Sequence, residues 1–224
     1  MASVITLVLE AATYAGSAAL LDGARLASER EVTMRSRERE ALMPAVAELL
    51  SEAGVPASRV QRVVCGAGPG SFTSLRIAGS IAKGIALAQG IPLVPVSSLA
   101  LLVTSQPHIA AGRYLAAIDA LRGEHYVELY DVDASGAATL AGATRLVPTS
   151  SLADVAKEHG ARLVGPALGD APAVAPRAAG ARLLLPLVDA TPAADLATWE
   201  PAYGRLAEAQ VKWEAAHGRP LAAR

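Results

Sequence analysis

Gly66-Ala67-Gly68-Pro69-Gly70-Ser71 carries more architectural information than any other stretch of the chain. It follows Val60 to Cys65, a β-branched run that reads as a strand, and leads into a helix over about Phe72 to Gln89. A strand passing through such a turn into a helix can cradle an anion, because free amides and the positive end of the helix dipole point at it. The same residues also describe a tight turn whose Ser71 or Thr73 caps the helix. The dinucleotide fingerprint does not fit. Its third glycine belongs later, and no Asp or Glu lies between Ser71 and Ile118 to hold a ribose. A P-loop does not fit either, since no Gly-Lys-Ser/Thr follows.

Upstream, Val4 to Leu9, Gly16 to Leu21 and Arg25 to Thr33 read as strands, with Asp22-Gly23 as a hairpin signal. Leu9-Glu10-Ala11-Ala12-Thr13 is a strand ending in an acid, then a turn with Thr. Actin-like ATPases and sugar kinases hold a metal-bound phosphate with that shape. They want Asp at the strand end and Gly in the turn, so that amides can approach the phosphate. Here Glu10 is the longer acid, and Ala11 and Ala12 stand where glycine is needed. The shape survives while the chemistry reads as lost, so Glu10 and Thr13 are the vestige of a nucleotide site.

Ser36 to Ala53 reads as a helix with Leu42, Val46, Leu49 and Leu50 on one stripe, and Pro44 marks its first packed turn or a kink. The helix after the glycine turn carries a stripe of Ala78, Ile81, Ala82, Ile85 and Ala88. Gly79 and Gly84 admit a close second backbone, and Gly90 stops the helix. A strand over Ile91 to Val96 and a helix from Ser98 to Ser105 follow. A boundary near Pro107 to Arg113 divides the chain into lobes 1–106 and 107–224. The second lobe has strands at Tyr114–Asp119, Glu124–Val132, Thr144–Val147 and Arg162–Val164, and a helix at Ser151–His159. Ala171 to Ala181 reads as irregular, and the tail from Pro201 is expected to pack back on the first lobe.

With 224 residues, 52% of them hydrophobic and 18% charged, the chain can bury a real core. A net charge of -1 gives no general pull toward nucleic acid or anionic lipid. A single cysteine, Cys65, excludes an internal disulfide and fits a reducing compartment. It reads as an inert core thiol. No charged leader precedes the first strand, and the most apolar stretch, Ile91 to Thr104, is too short to span a bilayer, so a cytoplasmic protein is expected. His108, His125, His159 and His217 are isolated, with no metal-binding spacing. Arg35, Arg37 and Arg39 alternate with Glu38 and Glu40 as a solvated helix start. Arg76 and Lys83, two turns apart, read as a solvated face, an interface or an anion contact.

Gly68-Pro-Gly-Ser-Phe-Thr-Ser-Leu-Arg-Ile77, continuing through Ala82-Lys-Gly84, Ile91-Pro92 and Val96-Ser-Ser-Leu99, resembles the TsaB (YeaZ) family of bacterial tRNA-modification proteins. Leu9-Glu10-Ala-Ala-Thr13, Ala117-Ile-Asp-Ala120 with Gly123-Glu124 and Tyr126, and Glu200-Pro201 with Tyr203 and Arg205 extend the resemblance along the chain. Three departures stand out. Glu10 replaces an Asp, Ser74 stands where Gly is usual, and Glu38-Arg39-Glu40 replaces a His-Ser-Glu segment. The second lobe also lacks an obvious long helix between Pro166 and Pro192.

The resemblance implies an α/β chain with a degenerate actin-like ATPase (ASKHA, ribonuclease H-like) fold: two lobes, with mixed sheets flanked by helices. It implies a non-catalytic scaffold that supports the subunit TsaD. With TsaE, that assembly transfers threonylcarbamoyl to N6 of adenosine 37 in tRNAs reading ANN codons. ATP and metal are then expected on the partner subunits, no cofactor on this chain, and tRNA contact only indirectly. The implied partner surface is Leu42, Val46, Leu49, Leu50, Leu75, Ala78, Gly79, Ala82 and Ile85, beside the motif loop Gly68, Pro69, Gly70, Ser71, Thr73 and Arg76. The same surface is expected to form a homodimer when the partner is absent. The residues alone leave another reading equally open, in which both stripes simply cover the sheet. The alternatives in activity are an active actin-like small-molecule kinase or ATPase and, less well supported, a glycoprotease-like peptidase.

Overall fold

The run expected at Val4–Leu9 forms β1 (Ile5–Glu10), six residues buried on both faces, as the centre of a sheet requires. The computed structural model describes residues 3–35, 40–166, 168, 173–204 and 216–218. Around β1 lie β2 (Ala15–Asp22), β3 (Arg25–Thr33), β4 (Arg62–Gly66) and β5 (Leu93–Val96), in the order β3-β2-β1-β4-β5. The β1–β2 and β2–β3 pairs are antiparallel, whereas β4 joins β1, and β5 joins β4, in parallel. Between β3 and β4 runs α1 (Leu42–Glu52), and between β4 and β5 runs α2 (Phe72–Gln89).

The second sheet repeats this plan. It holds β6 (Gly112–Asp119), β7 (Glu124–Val132), β8 (Ala138–Leu140), β9 (Arg145–Pro148) and β10 (Arg162–Val164). The order is β10-β6-β7-β8, and β9 also pairs with β7. Each sheet therefore opens with an antiparallel hairpin whose first strand later gains a parallel neighbour. In the second sheet the intervening helix is α4 (Leu152–Glu158). This duplication of mixed sheets flanked by helices is the actin-like architecture expected from the sequence.

Both faces of the first sheet are covered. On one, Leu42, Val46 and Leu49 of α1 and Ala78, Ala82 and Ala86 of α2 pack on Leu7, Leu9, Leu20 and Val63. On the other lies α3 (Ser98–Thr104), all seven residues buried, sandwiched against Tyr114, Ala116 and Tyr130 of the second sheet. Each fully buried Leu or Val contributes about 1.5–3 kcal/mol.

Local differences from the sequence reading have physical causes. The helix expected from Ser36 begins at Leu42, and residues 36–39, with Arg37, Glu38 and Arg39, lie outside the described residues. Pro44 falls in its first turn, where the missing N–H is no loss. Glu40 accepts the Met43 amide at 3.1 Å and also the Leu42 amide, capping the helix from two residues upstream. Part of the stretch read as irregular is a 3-10 helix at Ala178–Leu183, followed by α5 (Leu185–Ala190). The return to the first sheet starts well before Pro201. Ala178 N–H donates to Ser17 Oγ at 2.8 Å, and Arg62 Nη1 lies 2.6 Å from Asp189 Oδ1. Arg205 lies outside the described residues.

Candidate functional site

Because β1 is central, its last side chain, Glu10, is 0% exposed. Glu10 Oε1 accepts the Ala12 amide at 2.5 Å, and Oε2 accepts the Ser98 hydroxyl at 2.9 Å. Ser98 Oγ in turn accepts the Gly68 amide at 3.1 Å. A Cβ on Gly66 would collide with the Glu10 carboxyl, so the glycine makes room for the longer acid. Burial pushes the Glu10 carboxyl up to about 7, against the hydrogen bonds from Ala12, Ser98 and Ala11, which favour the charged form.

The turn after β1 and the glycine turn meet directly. The Ser71 amide donates to the Ala12 carbonyl at 2.7 Å. A Cβ on Gly70 would collide with that carbonyl and come within 2.7 Å of Ala12 Cβ, so only glycine permits the contact. Gly68, with φ 88°, precedes Pro69 across a cis bond. Thr13 turns on itself, its hydroxyl donating to the Ala15 carbonyl at 3.1 Å. Ser71 occupies the N-cap position of α2 but makes no capping side-chain bond. Its hydroxyl pairs with Ser74 Oγ at 3.0 Å, and Thr73 is exposed. A phosphate held between these turns would need their amides free and the space between them open. Here the Ser71 amide is taken by the Ala12 carbonyl, the Ala12 amide by the Glu10 carboxyl and the Gly68 amide by the Ser98 hydroxyl, so these amides do not fit a nucleotide phosphate.

The expected partner residues are mostly turned inward. Leu42, Leu49, Ala78 and Ala82 are 0% exposed and Val46 is 1% exposed, all facing the sheet; Leu75, also 0% exposed, packs instead with the core around α3, while Leu50 and Ile85 are half-buried. Of the two readings left open by the stripes, covering the sheet is the one these residues follow within the chain. Helical spacing defines a face but not what the face meets. The outward sides carry Met43, Pro44, Ala47, Glu48, Ser51 and Glu52 on α1 and Thr73, Arg76, Ser80, Gly84, Leu87 and Ala88 on α2. Met43 is 44% and Leu87 73% exposed.

What comes close to Gly79 is not a second backbone but side chains of this same chain. Pro201 Cγ would lie 3.1 Å and Trp199 Cζ3 3.6 Å from a Cβ there, whereas Gly84 faces open space. Residues 194–204 form a strap along α2. It is held by the Ala194 amide on the Leu93 carbonyl at 2.8 Å, Lys83 Nζ on the Trp199 carbonyl at 2.7 Å, and the Ala202 amide on the Ala67 carbonyl at 2.7 Å. Tyr203 packs on Phe72 with ring centroids 4.5 Å apart and planes tilted by 49°, and the exposed Arg76 guanidinium lies 5.2 Å from the Phe72 centroid.

Ser97 and Ser98 were missed as site residues. The only sequence signal was a serine pair at a strand-to-helix junction, which capping alone explains. Ser97 Oγ donates to Glu128 Oε2 at 2.7 Å and accepts the Leu99 amide at 3.2 Å. Glu128, 6% exposed, also receives the Thr144 hydroxyl at 2.5 Å and the Tyr130 hydroxyl. Burial raises the Tyr130 phenol, with Glu128 adding to it. Elsewhere, Cys65 is fully buried and its thiol is pushed up by burial and by Glu10. His125 hydrogen-bonds Thr149, and burial lowers it. Among the described residues no three His, Cys, Asp or Glu side chains gather as a metal site, and no helix is long and apolar enough to cross a membrane.

Comparison with known proteins adds the following. A family model described as TsaD, tRNA N6-adenosine threonylcarbamoyltransferase, matches residues 33–162. The chain is 32% identical over 127 residues to the tRNA threonylcarbamoyladenosine biosynthesis protein TsaB of Haemophilus influenzae, covering 56% of this chain and 53% of that one. It is 34% identical over 131 residues to TsaB of Escherichia coli, covering 58% and 56%. These matches span about half the length of the curated relatives. Among solved structures, YeaZ from Pseudomonas aeruginosa superposes with a TM-score of 0.75 at 30% identity, covering 89% of this chain and 99% of that one.

Proposed function

Since the chain belongs to the TsaB (YeaZ) family, we propose that it serves tRNA threonylcarbamoyladenosine synthesis as a non-catalytic subunit, supporting a TsaD-type subunit. The observation that carries this reading is the bond between the Ser71 amide and the Ala12 carbonyl, 2.7 Å long, at the place where a kinase of this fold holds phosphate. Glu10 is committed to Ala12 and Ser98 in the same place. Threonylcarbamoyl-adenylate, ATP and metal then belong to the partner subunits, and TsaE joins the assembly. The tRNA is held mainly by others, in keeping with a net charge of -1.

The outward faces of α1 and α2 are the partner surface on this reading. Met43, Pro44 and Ala47 on one helix and Gly84, Leu87 and Ala88 on the other supply apolar and small residues, among the polar Glu48, Ser51, Glu52 and Ser80, that suit helix-on-helix packing with a polar rim. The same area serves a homodimer when the partner is absent. The inward residues Leu42, Val46, Leu49, Ala78 and Ala82 set the helices on the sheet beneath it.

Co-expression with the cognate TsaD-type subunit tests the reading. A stable complex that modifies tRNA in the presence of the other subunits, together with no ATP binding by the isolated chain in calorimetry, is the expected result. Mg-ATP turnover by the isolated chain that disappears in Glu10→Gln would establish an active kinase or ATPase and end the proposal.

A further inference from the structure

The three glycines of the glycine turn each make room for a different part of the chain. A Cβ on Gly66 would meet the Glu10 carboxyl, and one on Gly70 the Ala12 carbonyl, both from the β1 end of the first sheet. Gly68 meets the strap instead, since a Cβ there would collide with the Ala202 carbonyl. The Ala202 amide donates to the Ala67 carbonyl at 2.7 Å, so one strap residue touches two successive residues of the turn.

Beyond Ala202 the strap reaches the second sheet. Gly204 sits at φ 76°, and a Cβ there would lie 2.5 Å from Tyr126 Cζ. Tyr126, on β7, is 5% exposed and belongs to the core shared by the two sheets. The strap therefore starts at β5, where Ala194 is bonded to Leu93, crosses α2 and the glycine turn, and ends against β7. Its contacts at Gly68 and Gly204 leave no space for a methyl group. Packing this tight passes a displacement on instead of absorbing it.

We infer that the strap is a clasp. Seated on Gly68 and against Tyr126, it holds the glycine turn in the form that closes on Ala12, so a turn of the first sheet depends on a contact made at the second. The phosphate place of the fold is then kept shut by two contacts, Ala12 with Ser71 and Ala202 with the turn. Strap and turn open together, as one local unit.

Hydrogen exchange in the whole, isolated chain tests the clasp. Gly204→Ala drives a methyl toward Tyr126, at the far end of the strap from Ser71. The expected result is about tenfold faster exchange at both the Ala202 and the Ser71 amides. The Val63 amide, bonded to the Pro92 carbonyl at 2.9 Å within the first lobe, should keep its wild-type rate. Ala202→Pro deletes the strap's own donor and should speed Ser71 exchange alike, which keeps the inference falsifiable should Gly204→Ala not fold. Wild-type protection at Ser71 in either folded variant overturns the inference, because the strap is then a passive cover. A uniform rise that includes Val63 reports general loosening and overturns it too. Binding of a TsaD-type subunit enters none of these outcomes, so the accessory reading stands or falls separately.

Discussion

Ser98 Oγ donates to Glu10 Oε2 across 2.9 Å, while its neighbour Ser97 donates to Glu128 Oε2 at 2.7 Å. One dipeptide at the start of α3 thus serves a buried carboxyl from each sheet. The hydroxyls replace the water these acids lose on burial, and an unpaired buried charge would cost several-fold more than the bonds return. The junction of the two sheets is therefore polar, satisfied and sensitive to protons.

That sensitivity is testable at Glu10. Its carboxyl is raised from 4.5 to about 7 in the folded chain. Between those values the unfolded chain releases a proton that the folded chain keeps, so the contribution is fully present below pH 4.5 and is lost as pH rises through 7. Urea unfolding at pH 5 and at pH 7.5 should differ by up to about 3 kcal/mol, at roughly 1.4 kcal/mol per pH unit. Glu10→Gln should flatten that slope. A slope unchanged in the variant removes Glu10 as its source.

The closure of the two turns predicts opposite outcomes for two glycines. Gly70→Ala drives a methyl into the Ala12 carbonyl and should cost about 1–3 kcal/mol, with faster hydrogen exchange at the Ser71 amide. Gly84→Ala enters open space inside a helix and should stabilise the isolated chain by about 0.5–1 kcal/mol. Thermal unfolding of both variants decides. Equal effects would mean that Gly70 is no more constrained than a surface helix position.

The strap makes a further prediction. Lys83 Nζ reaches the Trp199 carbonyl at 2.7 Å, from a side chain that is partly buried. Lys83→Met keeps the aliphatic stem and removes the donor. Hydrogen exchange at the Ala202 amide, bonded to the Ala67 carbonyl at 2.7 Å, should accelerate about tenfold, since a bond to a charged donor contributes about 1.5 kcal/mol. Unchanged protection would show that Pro201 and Tyr203 hold the strap without Lys83.

Much of this was legible because local rules sufficed. The acid at the end of β1, the glycine turn and the left-handed Gly90, with φ 63°, are one-residue requirements that show in the sequence. What Gly79 meets is Pro201, more than a hundred positions away, and no local pattern encodes that. Ala78 and Ala82 read alike whether they face a sheet or a partner, since small size signals closeness and not its source. Ser98 needed the tertiary fold to become a ligand of Glu10. The 3-10 helix at Ala178–Leu183 has neither strand nor helix periodicity, so the sequence reading left it irregular.

That ambiguity bears on how the partner surface should be probed. Ala82 is 0% exposed, so Ala82→Arg would force a cation into the packing between α2 and the sheet and cost about 3 kcal/mol or more. A complex lost with that variant would report unfolding rather than docking. Leu87 is 73% exposed on the outer side of the same helix. Leu87→Glu should leave Tm almost unchanged, within about 0.5 kcal/mol in stability, because surface substitutions away from special features rarely do more. On an apolar interface the new carboxylate must be desolvated without a partner, and co-purification with the TsaD-type subunit should be lost, as should any homodimer seen by light scattering. Met43→Glu, from the neighbouring helix, should behave alike. If both variants fold and still bind as the wild type does, the outer face of α1 and α2 is not the contact.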